Sequence, residues 1–226
     1  MTPGTASLAE LFEDTPEELR RQALSHSSWV EARTQSYGRM AFLGDSVLGL
    51  SVATLLFSEH PDADIGELTK ILNQAVSGRA CAEVARAMGL PELLSERAPE
   101  AGDGLPVGTL LASERTLASV CEAVIGACYI AHGFEHTSEA VTEAFSVQIE
   151  QATSERLDFK SELQERLARS GEAVSYQVTS EAGPPHERRF EIRATVAGAE
   201  IGAGSGRSKK QAEQAAARRA LENLKR

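Results

Sequence analysis

The stretch GRMAFLGDSVLGL, residues 38–50, places a single acidic residue, Asp45, inside a largely apolar run. The apolar character continues to Phe57, which is too long for an ordinary strand and predicts a long helix in the core. A carboxylate on such a helix is costly to bury unless it meets a partner or a cation. Asp45 either bridges neighbouring helices or belongs to a site, and we favour the site.

A second long apolar helix is predicted from Leu110 to Ile130; after Glu114 near its start, it contains one further acid, Glu122. Both helices contain small residues that permit a close approach of their backbones: Gly44 on the first, and Ala123, Gly126 and Ala127 on the second. The two acids therefore lie on elements that are suited to packing against each other.

The rest of residues 1–152 is also predicted to be helical, with no convincing strand. The segment DIGELTKILNQAVSG is amphipathic, and RACAEVARAMGLPELL is expected to stop at Gly89 and Pro91. Residues 99–108 form a predicted loop. No apolar run approaches the ~18 residues that span a bilayer, and the first residues lack a basic start followed by an apolar stretch. We expect a cytoplasmic protein without a membrane partner.

Three cysteines, Cys81, Cys121 and Cys128, cannot all pair, and none lies in a CxxC pattern. Reduced thiols buried in the core are the simplest interpretation.

The pattern changes after TSERLD. A helix is predicted from Asp158 to Ser170, and alternating apolar residues then indicate strands around Tyr176, at 190–196 and at 201–204. A last helix has alanines spaced by four. Residues 157–226 are thus predicted to form a small α+β domain of order α-β-β-β-α, following an all-α domain at 1–152.

The formal net charge of −10 is unevenly distributed. From residue 158 onward there are 13 basic and 10 acidic residues, whereas the preceding residues hold 10 basic and 23 acidic. A basic second domain suits a polyanionic partner, and an acidic first domain suits a divalent cation. The alternative for the first domain is a solvated acidic surface.

The segment GSGRSKKQAEQAAARRAL places Lys209 and Lys210 in the first turn of a helix, where backbone amides also favour phosphate. Together with DFKSELQERLARSG and the GPPH turn, it resembles a double-stranded-RNA-binding domain over residues 158–225. The resemblance implies minor-groove contacts from the first helix and the turn, and phosphate contacts from the last helix. The residues concerned are Gln164, Glu165, His186, Ser208, Lys209 and Lys210.

Four segments of the first domain, ALSHSS, GRMAFLGDSVLGL, GELTKILNQAVS and LASVCEAVIGACYIAHG, occur in the order found in the ribonuclease III catalytic domain. The resemblance covers roughly residues 8–150 and implies a double-stranded-RNA endoribonuclease that uses Mg²⁺, with Mn²⁺ as a possible substitute. It also implies a homodimer that meets at the helix containing Phe42. Asp45 and Glu122 would be its catalytic and metal-binding residues.

The family pattern is only half kept. Two further carboxylates belong one helical turn from Asp45 and Glu122, and these positions hold Ala41 and Ser119. Glu67 matches another acidic family position. Two interpretations remain open: a nuclease that works with two carboxylates, or a degenerate relative that binds structured RNA, for example on ribosomes, without cutting it.

Overall fold

The computed structural model of the chain describes residues 6–61, 63–98, 104–156, 159–183 and 188–224. It consists of two compact units, which divide between Thr153 and Ser154. The predicted fold class, an all-α unit followed by an α-β-β-β-α unit, is confirmed.

The first unit is helical throughout its described part. Its elements are α1 (Leu8–Glu13), α2 (Glu17–Ala23), a 3-10 helix (Arg33–Gln35), α3 (Gly38–Glu59), α4 (Ile65–Ala75), α5 (Gly78–Ala87), α6 (Leu90–Arg97), α7 (Val107–Leu111), α8 (Glu114–Ala144) and α9 (Ser146–Arg156).

Short polar side chains fix where several of these helices begin. Ser7, Asp64, Ser77 and Ser113 each accept a hydrogen bond from the backbone N–H three residues later. These bonds satisfy amides that have no partner inside the helix, which stabilises each start by about 1 kcal/mol.

The long helices α3 and α8 form the centre of the unit. A side chain on Gly44 would overlap the carbonyl oxygen of Glu122, and one on Gly126 would overlap that of Met40. Glycine is therefore required on both sides of this crossing. Around it, fully buried side chains from both helices make the core: Leu48, Val52, Leu56, Val120, Val124 and Ile125.

By length and composition alone, both helices are long and apolar enough to cross a membrane. This corrects the expectation that no apolar run approaches that length. About half of the residues in each apolar stretch are buried inside the unit, because α3 and α8 pack on each other.

Two predicted helix ends are wrong. Pro91 does not end a helix but lies in the first turn of α6, where its missing N–H has no cost. The preceding Gly89 separates the two helices with φ +72°. The second apolar helix begins at Glu114 rather than Leu110, and its helical backbone is interrupted at Gly133, whose φ is +78°, close to the predicted end.

The three cysteines are free and buried. Burial raises the pKa of the Cys128 thiol to about 12. The pKa of Cys121 lies well above its ordinary value. The larger cause is a hydrogen bond with Cys81, and the second is burial. Cys121 and Cys128 are therefore protonated, and all three cysteines are buried in the core without a disulfide, as their sequence context predicts.

The second unit contains α10 (Phe159–Ala168), β1 (Val174–Ala182), β2 (Arg189–Val196), β3 (Ala199–Gly206) and α11 (Lys209–Asn223). The strands form an antiparallel sheet of order β1-β2-β3. Ala197 and Gly198 join β2 to β3, both with positive φ, which is the backbone that a two-residue hairpin favours.

Both helices of this unit pack on the sheet. On β3, Gly202, Gly204 and Gly206 occupy alternate positions, and a side chain on any of them would overlap α11. The facing row of α11 consists of buried alanines at every fourth position: Ala212, Ala216 and Ala220. Glycine against alanine brings α11 close to the sheet and fixes the direction of its N-terminus.

Candidate active site and RNA-binding surface

Asp45 and Glu122 come from the point where α3 and α8 are closest. Asp45 follows Gly44, and the Gly44 backbone lies against the Glu122 carbonyl. The two side chains interact electrostatically: burial, and then the charge of Asp45, raise the pKa of Glu122 to about 7. Asp45 is exposed and Glu122 is half-buried, so the Asp45 carboxylate is more accessible to solvent than that of Glu122.

The positions where the family pattern expects two more acids lie on the same helical faces. Ala41 precedes Asp45 by one turn and is 6% exposed, and Ser119 precedes Glu122 by three residues. In the described part of the chain, no group of three or more His, Cys, Asp or Glu side chains is placed to hold a metal ion. The site therefore offers two carboxylates.

These two carboxylates fit one divalent cation. The charge of Asp45 raises the pKa of Glu122, and a cation bound by both carboxylates would offset that repulsion. Divalent cations such as Mg²⁺ bind through one or two protein carboxylates, with water and substrate phosphate completing the shell.

Two neighbours of the site were missed by the sequence reasoning. Tyr37 lies immediately before α3; burial raises its pKa, Arg115 lowers it, and Glu122 raises it. The phenol thus lies within electrostatic reach of a cation and an acid of α8. Helical spacing could have found both residues, because Tyr37 precedes Ala41 by four and Arg115 precedes Ser119 by four.

Two residues of the ALSHSS segment contact Tyr37. The Tyr37 N–H donates to the Ser25 carbonyl at 2.9 Å, and the His26 ring lies edge-on to the Tyr37 ring at 5.7 Å between centroids. His26 Nδ1 accepts from the Ser28 N–H at 3.1 Å, and burial lowers the pKa of His26. A neutral histidine therefore packs against the tyrosine.

Glu67 has a structural role in α4. Its carboxylate accepts a hydrogen bond from the Asp64 N–H at 2.9 Å, while Asp64 accepts from the Glu67 N–H at 2.8 Å. This reciprocal pair caps α4.

In the second unit, the predicted RNA contacts lie on exposed helix surfaces. Gln164 and Glu165 are exposed on α10, and Lys209 and Lys210 are exposed in the first turn of α11. Lys209 Nζ also lies 5.7 Å from the centroid of the Phe190 ring, at the start of the central strand β2.

Ser208 is the N-cap of α11, and its hydroxyl oxygen accepts the Gln211 N–H at 3.2 Å. The hydroxyl hydrogen is left to donate to a ligand. His186 lies outside the described residues.

Two family models match the chain. Residues 16–149 match a family described as Ribonuclease-III-like, and residues 159–224 match the double-stranded RNA binding motif. The nuclease domain of a ribonuclease III from Campylobacter jejuni shares the fold of the first unit, with a TM-score of 0.51 at 23% identity; the match covers 62% of this chain and 96% of that one.

Full-length relatives extend the match across both units. The Ribonuclease 3 of Streptomyces coelicolor is 40% identical over 208 residues, covering 90% of this chain and 74% of that protein. The Ribonuclease 3 of Bacillus cereus is 40% identical over 218 residues, covering 93% and 86%. The chain therefore belongs to the ribonuclease III family, with a ribonuclease-III-like helical domain followed by a double-stranded RNA binding motif.

Proposed function

We propose that this protein cuts double-stranded RNA by hydrolysing its backbone, with Asp45 and Glu122 as the catalytic pair. The observation that supports this most directly is the pairing of these two acids at the closest point of α3 and α8. Relatives named Ribonuclease 3 favour cleavage over binding alone.

Ribonuclease III enzymes are generally metal-dependent. We propose Mg²⁺ as the cation, with Mn²⁺ as a substitute. When bound, the cation would neutralise charge at the phosphate and make its bound water more acidic. Attack of that water on the phosphorus, with the 3′ oxygen as leaving group, would give 5′-phosphate and 3′-hydroxyl ends. The exposed Asp45 carboxylate would position the cation and the attacking water, and half-buried Glu122 would bind the cation.

Ala41 and Ser119 make this a weaker cation site than one with four carboxylates. Two unit charges about 4 Å apart interact by about 4 kcal/mol at an effective dielectric constant of 20. The loss of two acids is therefore expected to lower the cation affinity by several powers of ten. Ser119 still provides an oxygen that can bind water, whereas the Ala41 methyl group cannot.

Cleavage of a long RNA duplex tests the function. We expect the wild type to cut with Mn²⁺ or Mg²⁺ and Asp45→Asn to lose at least about a hundredfold in rate. Ala41→Glu combined with Ser119→Asp should lower the half-saturating cation concentration by about tenfold or more, because it restores two charges.

Glu67→Gln is the matched control, since that acid caps α4. If the wild type binds the duplex tightly and leaves it intact at every cation concentration, the proposal is wrong and the protein is a non-cutting RNA binder.

Thermal unfolding against pH tests the acid pair without any substrate. In protein freed of divalent cations with a chelator, the pKa of Glu122 is about 7, compared with 4.5 for an ordinary glutamate. A raised acid pKa stabilises the folded state fully below about pH 4.5, and this contribution is lost as the pH rises to about 7. We expect the wild-type Tm to fall relative to that of Glu122→Gln across this window.

Asp45→Asn should show a smaller loss, because the neighbouring charge is gone. Parallel Tm curves for all three proteins from pH 4.5 to 8 would mean that the two acids do not interact.

We propose that the second unit binds the RNA through α10 and α11. Gln164 and Glu165 contact one minor groove, and His186 contacts the next minor groove. Ser208, Lys209 and Lys210 bind phosphates. The exposed lysines at the α11 N-terminus support this, because the backbone amides there add to their attraction for phosphate.

Replacing both lysines tests this surface. Lys209→Ala with Lys210→Ala should weaken duplex binding and reduce the slope of log affinity against log salt by about two, one for each lost contact. Arg79→Ala with Arg86→Ala, on the first unit, serves as a control of equal charge. An unchanged slope in a filter-binding titration would contradict the assignment.

We also propose that the protein is a homodimer through one face of α3. Phe42, Leu50 and Phe57 lie along this face and are 79%, 55% and 76% exposed. Phe57 and Ala53 also line a groove against Leu68 and Leu72 of α4. Such a row of large apolar side chains is expected to be covered by a partner.

Sedimentation equilibrium at micromolar concentration tests the dimer. The wild type should have twice the mass of the 24.2 kDa chain, and Phe57→Glu should have the mass of one chain. Val147→Glu changes an exposed apolar residue of α9 and should remain dimeric. A wild-type protein of single-chain mass would overturn the proposal.

A further inference from the structure

Polar contacts join the two helices of the second unit, α10 and α11, near both of their ends. Near their starts, the Lys160 ammonium pairs with the Glu213 carboxylate. Near their last turns, Arg166 Nη2 donates to the Leu224 carbonyl at 3.1 Å. The contacts advance in the same direction along both helices, so α10 and α11 run parallel and begin at the same end of the unit.

The Lys160–Glu213 pair lies one helical turn from the proposed RNA contacts of each helix. Gln164 follows Lys160 by four residues on α10, and Glu213 follows Lys209 by four residues on α11. The pair therefore connects the two RNA-contacting segments, and a change in its geometry would move one segment relative to the other.

Lys160 makes contacts with both α11 and the sheet. Its backbone N–H, in the first turn of α10, donates to Gln214 Oε1 at 3.1 Å, which satisfies an amide that has no partner inside the helix. Its Nζ lies 4.9 Å from the centroid of the Tyr176 ring of β1. The Lys160 side chain is 34% exposed and that of Glu213 is 27% exposed, so most of the pair is shielded from solvent.

Apolar burial holds the later turns of α10 more firmly than the first turn. The buried side chains of α10 are Leu163 and Leu167, whereas Phe159, at its start, is only partly buried. A helix of ten residues is marginal by itself and depends on its tertiary contacts. The contacts of Lys160 are therefore suited to fixing where the first turn of α10 lies.

We infer that Lys160 is a positioning residue that makes the second unit selective for A-form duplex RNA over B-form DNA. By joining α10 to Glu213 and Gln214 of α11, it fixes the spacing between the minor-groove contacts of α10 and the phosphate contacts of α11. The inference rests on those proposed RNA contacts. A-form and B-form duplexes differ in groove width and depth, so contacts held at one fixed spacing fit only one of them.

Duplex binding is measured in the full chain carrying Asp45→Asn, so that the RNA stays intact. Adding Lys160→Gln should lower the affinity for an RNA duplex by about tenfold, because a charge-assisted contact that orders α10 is lost. The affinity for a DNA duplex of the same sequence should change little, so the ratio of the RNA affinity to the DNA affinity falls. Arg169→Gln removes an exposed charge just after α10 and is the control, with an unchanged ratio.

The salt dependence separates positioning from direct phosphate binding. Because the Lys160 ammonium already pairs with Glu213, Lys160→Gln should leave the slope of log affinity against log salt unchanged. A fall of the slope by about one would show that Lys160 binds a phosphate, and it would overturn the inference.

Exchanging the two charges tests the pair itself. Lys160→Glu alone and Glu213→Lys alone should each lower the RNA-to-DNA ratio, because each places two like charges together. The two changes combined restore an opposite pair at the same net charge, and they should recover at least about half of the lost ratio.

Hydrogen exchange of the α10 amides in the RNA-free chain measures the same positioning without a ligand. Lys160→Gln should speed exchange in the first turn of α10, and the charge exchange should slow it again. Restored protection without a restored RNA-to-DNA ratio would overturn the inference, as would an equal loss of affinity for RNA and DNA in Lys160→Gln. A wild type that binds RNA selectively but does not cut it would contradict the proposed cleavage alone.

Discussion

The contact between Gly44 and the Glu122 carbonyl is the constraint on which the first unit depends. It sets the distance between α3 and α8, because no side chain fits at Gly44 or Gly126. The same contact determines the chemistry, since the residue after Gly44 is Asp45 and the residue that supplies the carbonyl is Glu122. A shift of this crossing by one ångström would separate the acids and open the core around Leu48 and Val124 at the same time. Stability and site geometry therefore depend on one crossing.

In the second unit, small residues again allow a close contact between two elements, here β3 and α11. Glycines at alternate positions of β3 face alanines at every fourth position of α11. The two-residue repeat of the strand and the four-residue repeat of the helix therefore bring small residues together along the whole contact. The tight contact fixes the direction of the α11 N-terminus, where Ser208 caps the helix and Lys209 begins it. Small residues are again what positions the charged ones.

Much of this organisation could be predicted from the sequence. Long apolar runs with small residues identified α3 and α8, and the change of period identified the sheet. Helix ends were less predictable: Pro91 begins a helix and α8 starts at Glu114 rather than Leu110, because local signals do not show on which side of a break the chain resumes helical packing. The acids Asp45 and Glu122 were found by family spacing. Tyr37 and Arg115 were missed because neither belongs to the family spacing, although each precedes a substituted position by four residues.

The loss of two acids changes the balance of charges at the site. Four carboxylates in one cleft repel one another, and such a cleft is stable only with its cations bound. Ala41 removes one of these charges and fills its position with a buried methyl group, which adds to the α3–α8 core. The remaining pair still shows residual repulsion in the raised pKa of Glu122. Two carboxylates repel each other less than four would, so we expect the site to tolerate the absence of a cation at the expense of cation affinity. Such an exchange of function for stability is common at strained sites.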